Sequence, residues 1–103
     1  MTYRIYVGSY TKELTVLEFD PTSASLAVLS SVTVGHHPSW VASLPSDPTV
    51  IFTGLEQSDG KIVSVKYDEK GQGTTLGAVP SGGADPCNFL AEDDQLLIGN
   101  VSA

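Results

Sequence analysis

Few side chains in this 103-residue sequence could do chemistry, and their spacing says more than their number. His36-His37 is the one histidine pair. Imidazoles bind metals and move protons, but neighbours on an extended chain point to opposite sides and no third ligand is near. The pair therefore reads as loop histidines ahead of Pro38-Ser39. Glu92-Asp93-Asp94 groups three carboxylates, the raw material of acid–base catalysis. It falls where the chain must turn between apolar runs, so a solvated turn is expected. Cys87, the sole cysteine, has no neighbouring base in the sequence and reads as a small apolar packing residue. Alone, it forms no internal disulfide and gives no sign of an oxidising compartment. Gly71-x-Gly73-x-x-x-Gly77 misses the dinucleotide spacing and precedes no helix, which leaves a hairpin turn. Asn100-Val101-Ser102 is a glycosylation sequon that matters only in a secreted protein. No metal site and no cofactor are expected.

Charge narrows the partners. Five Lys+Arg against twelve Asp+Glu give a net charge of −7. Nucleic acid and anionic membrane surfaces both need clustered Lys and Arg, so neither is an expected partner. At 41% hydrophobic and 17% charged residues, the chain is too apolar to read as disordered. No apolar run approaches the roughly 18 residues of a membrane helix. Met1–Ile5 lacks a charged head followed by an apolar signal core. A cytoplasmic location is the expectation.

The elements that would position these residues are strands. Val63, Val65 and Tyr67 alternate with Ser64 and Lys66; Tyr3, Ile5 and Val7 alternate with Arg4 and Tyr6. Residues 50–52 and 96–98 are continuous apolar runs that suit strands buried on both faces. Turn clusters such as Asp20-Pro21-Thr22, Ser58-Asp59-Gly60 and Ser81-Gly82-Gly83 separate the runs. The pattern predicts strands near 3–8, 13–20, 26–34, 38–44, 49–55, 61–67, 74–80, 87–91 and 96–100, with no helix. The chain also repeats itself. Gly35–Ala42 aligns with Gly83–Leu90 and Leu17–Asp20 with Val65–Asp68, both at a shift of 48; Phe52–Leu55 aligns with Leu97–Asn100 at a shift of 45. Four strands in under 50 residues is the signature of a β-propeller blade. The fold class predicted is all-β, with four-stranded antiparallel blades. Residues 1–34 would supply three strands of a closing blade, 35–82 one complete blade, and 83–103 the first two strands of the next. Propellers need about four blades or more to close. The chain is therefore expected to belong to a larger propeller, its remaining blades on another chain or supplied by copies of itself.

Tyr6-Val7-Gly8-Ser9-Tyr10-Thr11 resembles the opening Tyr-Val-Gly-Thr-Tyr-Thr of the seven-bladed lactonase propellers, a family that includes 6-phosphogluconolactonases and carboxy-cis,cis-muconate cyclases. His37–Ala42, Leu55-Glu56 and Gly83–Cys87 add to the resemblance, which covers nearly the whole chain as the family's first third. It implies hydrolysis or formation of a small anionic lactone, of sugar-phosphate or muconolactone type. It also implies that Glu56 matches a recurring family glutamate and that Asn88 occupies a channel-facing position; Asn100 follows the equivalent strand of the next unit. These three are the substrate-binding candidates, each with a plainer reading as a polar residue at a strand end. Asn88 stands where the family commonly has histidine, and Val101 where it has tyrosine. Catalytic His, Arg and Glu are expected from later blades, so this segment alone should be inactive. The alternative is a non-catalytic propeller that serves as a binding or interaction scaffold, since fold does not fix function.

Overall fold

The computed structural model describes residues 1–102, and among them the fold is all-β, without a helix. Residue 103, the last of the third sequence segment, lies outside the described residues. Period-two alternation becomes nine strands: β1 (Tyr3–Val7), β2 (Glu13–Asp20), β3 (Ser25–Thr33), β4 (Pro38–Leu44), β5 (Asp47–Leu55), β6 (Lys61–Tyr67), β7 (Gly73–Pro80), β8 (Ala84–Ala91) and β9 (Leu96–Ser102). Their boundaries fall within two residues of the expected ones except at β8, which begins three residues early because Ala84 pairs with Ser102 and Pro86 with Asn100. The strands form three antiparallel meanders ordered β1-β2-β3, β4-β5-β6-β7 and β8-β9. Bulges interrupt the register at Val16/Leu17 and Ser64/Val65, near-equivalent places in β2 and β6.

The main core lies between the first two sheets. Alternation sends Leu14 and Val16 of β2 against Val63, Val65 and Tyr67 of β6, with Ile51 and Leu55 of β5 beside them. The Tyr6 ring tilts against Tyr67 at 4.9 Å. Burial and the neighbouring Tyr6 push the Tyr67 hydroxyl up to about 12. At the sheets' outer corner, Arg4 donates to the Asp68 carbonyl (2.8 Å) and the Glu69 carbonyl (2.5 Å), and Ser30 Oγ donates to the Gly71 carbonyl. Glu92-Asp93-Asp94 is a turn, as its sequence context indicates; there the Asp93 carboxylate accepts the Ser46 N–H of the neighbouring hairpin (2.8 Å).

A repeated close approach sets the spacing between sheets. Gly8 faces the Pro38 carbonyl, where a Cβ would sit 2.5 Å from the oxygen and 3.1 Å from Val41 Cγ2. Gly54 faces the Pro86 carbonyl in the same way, at 2.8 Å, with Phe89 Cε1 at 3.2 Å. Val41 and Phe89 each follow their proline by three residues, so both junctions use one device.

The two apolar runs fare differently from the expectation of double-sided burial. Ile51 is 2% exposed, while Phe52 is half-buried beside a cavity of about 270 Å³ that Ile62, Leu76 and Leu96 also line. Leu97 is 54% exposed. The physical reason is the cover on each face: pairing along both edges of β5 leaves the Phe52 face beside the cavity that Leu96 of β9 also lines, and Leu97, paired with Leu90, lies on a face of β8-β9 that stays exposed.

Candidate functional site

The polar residues converge where the first sheet's Gly8–Lys12 loop meets the start of β4 and the end of β5. Each junction between consecutive sheets is built by the Gly-x-x-Pro repeat, Gly35–Pro38 and Gly83–Pro86. Residues ahead of proline avoid helical conformations, and here His37 and Asp85 both adopt positive φ, 51° and 54°. Asp and His are among the residue types that enter the left-handed region more often than most. The turn seats Pro38, which is fully buried, and lets the His37 N–H donate to the Thr11 carbonyl (3.1 Å). Directly after β5, the Glu56 N–H donates to the His37 carbonyl at 3.0 Å.

That anchor holds the Glu56 side chain half-buried between two hydroxyls. Tyr10 Oη donates to Oε1 at 3.1 Å, and Ser39 Oγ donates to Oε2 at 2.6 Å. Each carboxylate oxygen has further lone-pair capacity for a substrate hydroxyl or a water. The Tyr10 phenol is raised above its ordinary value, first by its hydrogen bond to Glu56 and then by the carboxylate's charge, with Cys87 and Asp85 adding to the effect. Tyr10 therefore remains a hydrogen-bond donor at neutral pH.

The histidines correct the sequence reading. Positive φ at His37 breaks the extended course, so the two rings stack at 3.6 Å instead of pointing apart, and Tyr10 stacks on His37 at 4.7 Å. Three aromatic rings thus form a run beside the Glu56 carboxylate. Among the described residues, no group of three or more His, Cys, Asp or Glu could hold a metal ion.

The other two candidates lie apart from Glu56. Asn100 is half-buried and clasps the Ser81–Gly83 turn: its Oδ1 accepts from Ser81 Oγ (2.8 Å) and its Nδ2 donates to the Ser81 carbonyl (3.2 Å). Asn88 is exposed on β8, opposite Gly99. Trp40, its counterpart one repeat earlier, bridges sheets by donating from Nε1 to the Phe89 carbonyl at 2.9 Å. Tyr10 and Ser39 were not among the sequence candidates. Ser39 falls at the repeat position where the next unit has Cys87, so no recurring hydroxyl marked it. Three of the five cations are engaged elsewhere: Arg4 on the Asp68–Glu69 turn, Lys61 with Asp59 (3.3 Å) and Lys66 with Asp47 (2.7 Å).

A family model described as lactonase, 7-bladed beta-propeller matches residues 4–101. Two solved structures are similar, both of proteins provisionally named 6-phosphogluconolactonase. The one from Bacteroides uniformis ATCC 8492 has a TM-score of 0.88 at 25% identity, over 98% of this chain and 31% of that one. The one from Bacteroides fragilis NCTC 9343 has a TM-score of 0.88 at 24% identity, over 98% of this chain and 30% of that one. The chain thus spans about a third of the length of either protein. No curated protein matches it.

Proposed function

Because this chain belongs to the seven-bladed β-propeller lactonase family, we propose that it is part of an enzyme that opens or closes a small anionic lactone, with a sugar-phosphate lactone as the favoured substrate class. In the opening direction, water adds to the lactone carbonyl carbon and gives up a proton to a base. The ring oxygen then leaves and takes a proton, which yields a hydroxy acid. A carboxylate is suited to orienting that water or a sugar hydroxyl, provided its own position is fixed. The observation that carries this reading is Glu56, held by Tyr10 and Ser39 with lone pairs to spare. The names of the two similar Bacteroides proteins support the sugar-phosphate class. Cations for the substrate's anionic group, and the remaining catalytic residues, would come from blades beyond the residues described here.

Asn88 favours a second reading, a propeller that binds without turnover. Asparagine can donate and accept hydrogen bonds but is no base near neutral pH. A chimera separates the two. This chain would replace the matching third of the Bacteroides uniformis protein, and hydrolysis of 6-phosphoglucono-δ-lactone would be followed. Turnover is expected, and Glu56→Gln should lower kcat/KM by roughly 10-fold or more, toward the range of a lost acid–base contact. A folded chimera that binds the lactone without turnover would replace the enzymatic reading with the binding one. Full activity in Glu56→Gln would remove Glu56 from the site.

A further inference from the structure

Tyr10 is 65% exposed, yet it is not loose. The loop that carries it is pinned on both sides: the Ser9 N–H donates to the Pro38 carbonyl (2.9 Å), and the Thr11 carbonyl accepts the His37 N–H (3.1 Å). The ring is fixed as well. Its Oη donates to Glu56 Oε1 at 3.1 Å, and His37 covers one face, 4.7 Å between centroids and 26° from parallel. His36 backs His37 in turn at 3.6 Å and 22°. The opposite face of Tyr10 is open, and Tyr10 takes no part in the main core.

We propose, resting on the sugar-lactone reading of this site, that the open face of Tyr10 is a stacking platform for the sugar's pyranose ring, whose neighbouring hydroxyls donate to Glu56. The face of an aromatic ring is electron-rich. One face of a saturated sugar ring presents C–H groups that adjacent oxygens make slightly positive, so the two faces attract. A tyrosine already held in place loses little conformational freedom on contact. Glu56 asks for donors only: each carboxylate oxygen accepts one hydrogen bond, from Tyr10 or Ser39, and keeps a lone pair. Vicinal hydroxyls meet that demand. Anionic groups do not. The Asp85 charge also reaches the Tyr10 hydroxyl, and Lys12, the one cation of the Gly8–Lys12 loop, is followed at once by Glu13. A phosphate therefore points away from this platform, and a lactone that carries carboxylates in place of hydroxyls is disfavoured there.

Saturation-transfer NMR on the 103-residue chain tests the platform, with D-glucose, D-glucose 6-phosphate and cis,cis-muconate as probes. Irradiation of the aromatic protons should saturate the C–H protons on one face of glucose. Glucose 6-phosphate should bind no tighter than glucose, and muconate should show no transfer. Tyr10→Leu should weaken glucose binding by about 5-fold or more, as expected for a lost aromatic contact. Tyr10→Phe keeps the ring without the hydroxyl and should weaken it by no more than about 2-fold; amide spectra show that both variants fold. Absence of transfer to glucose, binding unchanged in Tyr10→Leu, equal losses in the two variants, or muconate transfer as strong as that of glucose would overturn the proposal. Turnover by the chimera separates this outcome from the enzymatic reading. A chimera that turns over the lactone equally well with Tyr10→Leu overturns the platform and leaves the lactonase reading intact. Glucose transfer that Tyr10→Leu abolishes, beside a chimera without turnover, does the reverse.

Discussion

Arg4 shows how one side chain can be diverted from chemistry to architecture. It is the sole arginine, and a lactone's anionic group would need such a cation, yet its guanidinium faces two backbone carbonyls of the Asp68–Gln72 turn. In that turn the Asp68 side chain already accepts the N–H groups of Lys70 and Gln72, and Gly71 takes a φ of +81°. The turn thus presents the Asp68 and Glu69 carbonyls outward together, and a planar fork can bind both at once. Arg4→Ala should therefore lower stability by about 1–2 kcal/mol, the range for hydrogen bonds to a charged group at a partly exposed site. Arg4→Lys should restore less than half of that loss, because an ammonium group does not reproduce the fork. Urea unfolding of both variants measures the difference, and equal stability of wild type and Arg4→Ala would dismiss the clamp. None of this was legible in the sequence: Arg4 reads there as one polar residue on an alternating strand, and its partners lie 64 and 65 positions away. Tyr10 and Ser39 carry no local marker for the same reason: their partner Glu56 lies 46 and 17 positions away, and of the three only Glu56 is marked, by its place at the end of an apolar strand.

At the scale of elements, the sequence was far more informative, because strand alternation and turn residues are local signals and the repeat matches β2 with β6, β4 with β8 and β5 with β9. The failures are those of neighbours. Leu96-Leu97-Ile98 has the composition of a doubly covered strand, but composition cannot register that the face carrying Leu97 and its partner Leu90 stays exposed. His36-His37 reads as extended in the sequence, since the cost of a left-handed residue before proline argues against the conformation the junction adopts. Local polar contacts also fix strand ends beyond the reach of a pattern. Asp47 opens β5 and is held well below the ordinary carboxylate range, to about 2, first by its hydrogen bond from Lys66 and then by the Thr49 hydroxyl and N–H. A carboxyl with a depressed folded-state value stabilises the fold fully above its unfolded value, near pH 4. That contribution should be lost as the pH falls from about 4 through 2, and not in the neutral range. Carboxyl NMR should find the Asp47 midpoint near 2, moving up toward about 4 in Lys66→Met. A midpoint unmoved by that substitution would assign the depression to Thr49 alone.

At the scale of the whole molecule, the first sheet presents an apolar face that the core does not use. Register places Tyr3, Phe19 and Leu26 in one cross-strand row and Ile5, Leu17 and Val28 in the next, all on the side of the first sheet opposite Leu14 and Val16. Leu26 and Val28 are 59% and 69% exposed. A contiguous apolar surface of this kind marks an interface or a liability to associate. Seven blades of four strands make about 28 strands, and nine of them is close to the third of the similar Bacteroides chains that this chain spans. In a closed propeller of that size, the first sheet's outer face would pack against another blade, as the second sheet covers its inner face here. The double substitution Leu26→Thr/Val28→Thr tests this, because threonine keeps the strand preference while removing apolar surface. In the isolated chain it should change stability by less than about 0.5 kcal/mol, as exposed substitutions do, and should reduce concentration-dependent sedimentation. In the chimera with the remaining two thirds of the Bacteroides uniformis protein, the same pair should cost about 2–4 kcal/mol in denaturant unfolding, since both side chains would then lie between blades. Equal, small effects in both proteins would mean that no blade covers this face.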